Sequence, residues 1–300
     1  MTSQDDKPVR SEVDQALAWR RWLEGEAGQY VKDWEERICA QLVADVFGYH
    51  ALQCGSFAID CLRANRMPDR IWVSGAAEAG VIEAVSDALP SLAAGGGPDS
   101  PEGACPLSRI VVDHFEHLPF ASQSVDLVIL PHVLEFADEP HLILREADRV
   151  LRPEGRLIVT GFNPVSLWGL RQSVGRWSGH EWLPEPAQMV TIARLRDWFK
   201  LLGLSMDEVL HGCYRPALRT ARWLERFAFM EAAGDRWWPI LGAVYAVSAI
   251  KRIAGLRLQG PALRKRFSRP LAAPVASHRD TYSRAQVARG SPGRPGRGGA

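Results

Sequence analysis

Between Tyr49 and Gly161 the chain alternates short apolar runs with stretches of helical periodicity, a pattern that restricts it to a parallel sheet covered by crossover helices. The runs are Tyr49–Gln53, Arg70–Val73, Arg109–Val112, Val125–Leu130 and Arg156–Gly161. Several are apolar at consecutive positions, as expected of strands buried on both faces. Between the fourth and fifth runs, the spacing of Ile143, Ala147, Val150 and Leu151 predicts a helix over 139–151. Asp138 is its expected cap, Pro140 suits its first turn, and Pro153 to Gly155 should stop it.

The flanks extend this α/β plan. Ser11–Phe47 reads as two helices, with Ser11 and Asp14 as an N-cap arrangement. A helix is expected near Val81–Leu89, followed by a surface insertion at Gly95–Pro106, which is rich in Gly, Pro and Ser. Downstream, Leu195–Leu202 reads as a helix, Leu204–Leu210 as a strand, Pro216–Met230 as a helix and Ala243–Ile250 as a last strand. The expected divisions are a helical cap over 1–47, a core over 48–163, a completion of the sheet with acceptor-side helices over 164–263, and a basic disordered tail over 264–300.

Charge separates that tail from the rest. Residues 264–300 hold nine of the 36 basic residues and one of the 35 acids, which leaves 27 basic and 34 acidic residues in 1–263. The tail could contact nucleic acid through phosphates, but a solvated tail is the preferred reading. No run approaches the roughly 20 apolar residues that a bilayer span needs. The first ten residues have no apolar segment behind their charges, so a cytoplasmic location and no membrane partner are expected. The five cysteines are widely spaced, with no Cys-x-x-Cys pair, and read as buried thiols.

Four landmarks follow one another over some forty residues. They are an acid before Leu118-Pro119-Phe120, a strand opening with Asp126-Leu127-Val128, the segment Val133-Leu134-Glu135-Phe136, and Arg149-Val150-Leu151-Arg152-Pro153. In that order they resemble the second half of the class I S-adenosylmethionine-dependent methyltransferase core, of the type 11-like kind. The resemblance covers roughly residues 48–163. It implies a Rossmann-like α/β fold: a seven-stranded, mostly parallel sheet of order 3-2-1-4-5-7-6, helices on both faces and strand 7 antiparallel. The Tyr214-Arg215-Pro216 region and Tyr245–Arg252 would supply the last two strands.

The resemblance also implies S-adenosyl-L-methionine as cofactor, held at the carboxyl ends of strands 1 and 4 where the strand order reverses. Carried over by position, Gln53 and Gly55 stand at the end of strand 1, and Ser74 stands at the end of strand 2. Asp113 or His114 follows strand 3, and Leu130, Pro131 and His132 follow strand 4. The strand 1 turn departs from the family pattern, with Gln53 for an acid and Ser56, Phe57 and Ala58 for glycines. Strand 2 ends without an acid, Glu78 being the nearest carboxylate. A Phe57 side chain filling the crevice would undo the enzymatic reading.

His132 is a candidate general base, or else a histidine hydrogen-bonded beside a strand end, and Glu135 could orient it. Asn163, Pro164, Ser166, Trp168 and Arg171 stand where such folds place acceptor contacts, or else they begin a capped helix. The 11 tryptophans read mainly as core and lid packing. His114 and His117 lack a Cys partner or a His-Glu-x-x-His pattern, so no metal site is expected. The expected function is methyl transfer to an unidentified acceptor, a small molecule being favoured. The alternative is a catalytically silent methyltransferase-like binding or regulatory protein. A nicotinamide dehydrogenase fits poorly, because no Gly-x-Gly-x-x-Gly follows strand 1.

Overall fold

The structure is a computed structural model that describes residues 6–76, 78, 79, 107–178, 182–184, 188–217 and 221–252. The expected Val81–Leu89 helix, the Gly95–Pro106 insertion, Cys105 and the tail lie outside the described residues.

Seven strands form one sheet: β1 (His50–Cys54), β2 (Asp69–Gly75), β3 (Leu107–Val112), β4 (Val125–Pro131), β5 (Leu151–Phe162), β6 (Leu204–Gly212) and β7 (Val244–Lys251). Their order is β3-β2-β1-β4-β5-β7-β6. The first five are parallel, and β7 runs antiparallel to both of its neighbours. The last strand pair is therefore Leu204–Gly212 with Val244–Lys251, and Tyr214 to Pro216 fall beyond β6.

Two buried apolar layers clamp the sheet, as the runs require. One packs α1 (Asp6–Glu24) and α2 (Glu26–Ala44) on Ala51, Leu127, Ile129 and Ile158. The other packs α3 (Pro140–Val150) on Leu52, Val128, Leu130 and Val159. Trp34 of α2 lies so close to the end of β6 that a Cβ on Gly212 would stand 1.9 Å from its Nε1. Glycine is what lets that helix seat. The four described cysteines, Cys39, Cys54, Cys61 and Cys213, are all buried and unpaired as thiols.

Four local expectations change. Helix α1 runs through Ser11, which is therefore not a cap. Helix α3 is preceded by Glu139 rather than Asp138, and no side chain caps it. It ends because Leu151 turns extended and enters β5, so the chain leaves the helix before Pro153. After β5 come α4 (Leu167–Ser178) and α5 (Ile192–Leu202), the latter closed by Gly203 in the left-handed region. The expected helix over 216–230 is two short ones, α6 (Ala221–Arg226) and α7 (Phe229–Trp237), which precede a 3-10 turn at Pro239–Leu241.

The family landmarks are fastened to one another near the amino end of β4. Asp126 accepts hydrogen bonds from the N–H groups of Tyr49 and His50, at 2.8 and 3.1 Å, and pairs with Arg152 at 3.1 Å. Arg149 donates to the carbonyls of Leu118 and Phe120 and pairs with Glu146.

Candidate active site

His132 follows the last residue of β4 with φ 54° and ψ 10°, a left-handed conformation that costs a non-glycine residue about 1–3 kcal/mol. The ring explains how the backbone is held there. Its Nδ1 lies 2.7 Å from Glu135 Oε2, and its Nε2 lies 2.9 Å from Glu35 Oε1 on α2. All three side chains are buried, at 1% exposure or less. The Glu135 contact is an aligned hydrogen bond, whereas the Glu35 contact is a close ion pair whose donor geometry is bent. The remaining Glu135 oxygen accepts from the Phe162 N–H at the end of β5. Burial alone would discharge the imidazole, but the charges of Glu35 and Glu135 outweigh it and push its pKa up to about 10. The ring is thus an imidazolium at neutral pH, clamped between α2 and the end of the sheet.

The opposite wall is the turn after β1. Gly55 has φ +102°, and a Cβ there would stand 2.6 Å from Val133 Cγ2, so no other residue fits without moving the β4 wall. Gln53 turns inward: its amide nitrogen donates to the carbonyls of Ser56 and Ile59, at 3.3 and 2.6 Å. Its amide oxygen accepts from Cys61 N–H at 3.1 Å. Glu78 accepts the Phe57 N–H at 3.0 Å. Its pKa is raised, because burial outweighs the hydrogen bonds from Phe57 and Ser56. The Phe57 ring turns away from the crevice and packs on Trp72, with centroids 5.1 Å apart, under the guanidinium of Arg109.

Between the two walls lies a cavity of about 250 Å³. Gly55, Asp113, His114, Pro131 and His132 line it, so both residues of the Asp113/His114 alternative reach it. Gln53, Ser74 and Leu130 are buried and do not line it: Gln53 braces the turn, and the other two sit inside the sheet. Glu78 and Gly75 complete the β2 side, while Gln15, Ala16 and Trp19 of α1 close the crevice from the amino-terminal side. Trp19 stands 5.0 Å from the His132 ring. The helical period puts residues 15, 16 and 19 on one face, but it does not say which end of the sheet that face covers.

The residues after β5 are woven into the fold. Asn163 donates to the carbonyls of Ile240 and Gly242, Ser166 caps the turn into α4, and Trp168 donates to the Arg215 carbonyl. Among the described residues, no group of three or more His, Cys, Asp or Glu side chains is placed to hold a metal ion.

A family profile described as "Methyltransferase domain" matches residues 90–159, which span β3, β4, α3 and most of β5. The match falls on a sheet whose order and single reversed strand are those expected from the landmarks. The chain carries a class I methyltransferase domain. Over 96 residues the chain is 46% identical to the Escherichia coli protein named "Uncharacterized protein YafS", covering 32% of this chain and 38% of that one. Over 88 residues the identity to the ubiquinone/menaquinone biosynthesis C-methyltransferase UbiE of Bartonella quintana is 34%, covering 29% and 34% of the two chains. The chain thus spans little more than a third of these relatives' length. Two solved structures align over most of this chain. One is a putative methyltransferase in complex with the Haloferax volcanii Trm112 activator, with 17% identity, TM-score 0.49 and coverage of 79% and 96%. The other is a possible histamine N-methyltransferase of Thermotoga maritima, with 15% identity, TM-score 0.48 and coverage of 78% and 100%.

Proposed function

We propose that this protein transfers a methyl group from S-adenosyl-L-methionine to an acceptor, a small molecule being favoured, presented at the carboxyl edge of the sheet. The observation that carries the reading is the open crevice between the ends of β1 and β4, with Phe57 turned out of it and Gly55 leaving its floor free. The donor set fits the nucleoside. Glu78 and Asp113 offer carboxylates to hydroxyl and amino groups, and Phe115, Val133 and Ile143 offer apolar wall. Bound there, the cofactor supplies a methyl already made electrophilic by its sulfonium. The chain's own task is to hold the acceptor in line and keep water out. Trp19 and Phe136 serve the second purpose, because they stand over the His132 side of the crevice.

A general-base role for His132 is not part of this reading. A base must offer a lone pair, and both ring nitrogens face carboxylates in a protonated imidazole. We assign His132 instead to positioning: it ties the lid helices to the end of β4.

The second reading is a catalytically silent binding or regulatory protein, favoured by the absence of an acid at the end of β2 and by the tied Gln53 amide. Isothermal titration with S-adenosylmethionine and S-adenosylhomocysteine separates the two. The enzymatic reading expects saturable heat in the micromolar range, abolished by Gly55→Trp. No heat from the native chain at high micromolar cofactor would leave the silent reading standing.

A further inference from the structure

The carboxyl edge of the sheet carries, beside the crevice, an apolar surface that the methyl-transfer reading does not use. On α4, Leu167, Leu170 and Val174 recur at helical spacing and face solvent, while Trp168 and Gln172 face inward. Beyond β6, Trp237, Trp238 and Ile240 stand out at the end of α7 and in the 3-10 turn, Trp237 being 70% and Ile240 65% exposed. Asn163 joins the two groups, since its side chain holds the Ile240 and Gly242 carbonyls from the loop that leads into α4. Large side chains of this kind in one place mark a surface that something covers.

Charge selects the occupant. Among the described side chains, residues 163–175 hold Arg171 and no acid, and residues 215–241 hold Arg215, Arg222, Arg226 and Arg236 against Glu225, Glu231 and Asp235. Both segments are therefore net positive, on a body that holds 34 acids against 27 basic residues. Tryptophan beside arginine on a rim of aliphatic side chains is the composition that seats at the boundary between headgroups and acyl chains of an anionic bilayer. No helix among the described residues is long and apolar enough to cross a membrane. The sequence-based expectation of no membrane partner rested on the lack of a span, and a span is not what this surface needs.

We infer that the carboxyl edge docks on an anionic membrane surface through α4 and the 237–240 turn. The inner face of α4 leads from that surface toward the crevice: Trp168 lies 6.4 Å from Phe162, which lies 6.1 Å from Trp19 on the cavity wall. Where the methyl-transfer reading also holds, on which this step rests, the acceptor is an amphiphile whose apolar part stays in the bilayer.

The test is co-sedimentation of the full chain with vesicles of phosphatidylcholine alone and of phosphatidylcholine with about a third phosphatidylglycerol. The native chain should pellet with the anionic vesicles. Trp237→Ser/Ile240→Ser and, separately, Leu167→Ser/Leu170→Ser should each weaken binding about tenfold or more, from the apolar area withdrawn. Unchanged binding in both variants would assign the contact to the basic tail and overturn the proposal. So would the absence of binding by the native chain, or a dimer seen by light scattering that the same substitutions disperse. Titration with S-adenosylmethionine in the same samples keeps the two ideas apart: cofactor heat without vesicle binding removes only the membrane contact. Intact near-ultraviolet dichroism shows that the variants are folded.

Discussion

The two walls of the crevice are held by opposite means. At the end of β4 an imidazolium sits between two carboxylates with no exposure to water. At the end of β1 a neutral amide, Gln53, satisfies two carbonyls and one N–H. Buried charges tolerate no loss of a partner, because the one left behind is uncompensated. A neutral brace fails more gently. The β4 wall is therefore the rigid reference, against which the β1 turn and the lid helices are set.

The sharpest way to break that contrast is to remove one charge. His132→Ala should cost about 3–5 kcal/mol in urea unfolding, since it leaves two buried carboxylates without their cation. Glu35→Ala should cost less, since the His132–Glu135 pair stays intact. Glu35 sits on α2, so its loss should also loosen the lid, read as faster amide exchange in residues 26–44. The pH dependence has a definite sign. The folded pKa of His132, about 10, lies above the ordinary histidine value of 6.5. Its contribution is complete below pH 6.5 and fades as pH rises toward 10. The native chain should lose unfolding temperature across that window, and His132→Gln, which holds no titrating ring, should lose less.

The neutral wall should yield less. Gln53→Leu strips partners from Ser56, Ile59 and Cys61, and about 2–3 kcal/mol of stability should go with them. Cofactor affinity should fall as well, since Gly55 and Ser56 lose their support. Gly55→Ala places a methyl where 2.6 Å separates it from Val133 and forces a side chain into φ +102°, for a loss of about 1–2 kcal/mol. A Gly55→Ala protein with native stability and native cofactor affinity would show that the turn is free to move, and the β1 wall would not be a wall at all.

The same contrast explains what the sequence could disclose. The landmarks that revealed the fold include Asp126 and Arg149, which fasten loops near the amino end of β4 to the strands and helix around them. Such residues keep a fixed order because the fold fixes their neighbours, so the topology was legible. The positions read from strand ends divided by where their side chains went. Gly55, Asp113, His114, Pro131 and His132 reached the cavity, while Gln53, Ser74 and Leu130 turned into the structure. Strand alternation says that a residue faces one side of the sheet. It does not say whether that side, at that height, is packed or open. The Glu35 contact was invisible for another reason: no periodicity links a helix residue to a strand end 97 positions later in the chain.

The smallest expected effects decide which carboxylate reads the nucleoside. Glu78 lies partly buried behind the β1 turn, where its acceptor bond to Phe57 fixes it in place. Asp113 is exposed at the end of β3, where water screens its charge. Glu78→Gln keeps an acceptor for the Phe57 N–H, so stability should change by less than about 0.5 kcal/mol. It removes the charge from a fixed site, so cofactor binding should weaken by about 1 kcal/mol, roughly fivefold. Asp113→Asn should weaken binding by about 0.5 kcal/mol or less, since the exposed partner contributes little. Titration calorimetry on the two variants makes the comparison directly. A larger loss at Asp113 than at Glu78 would move the nucleoside toward β3, and Glu78 would then be a brace for the β1 turn, as Gln53 is, with no hand in binding.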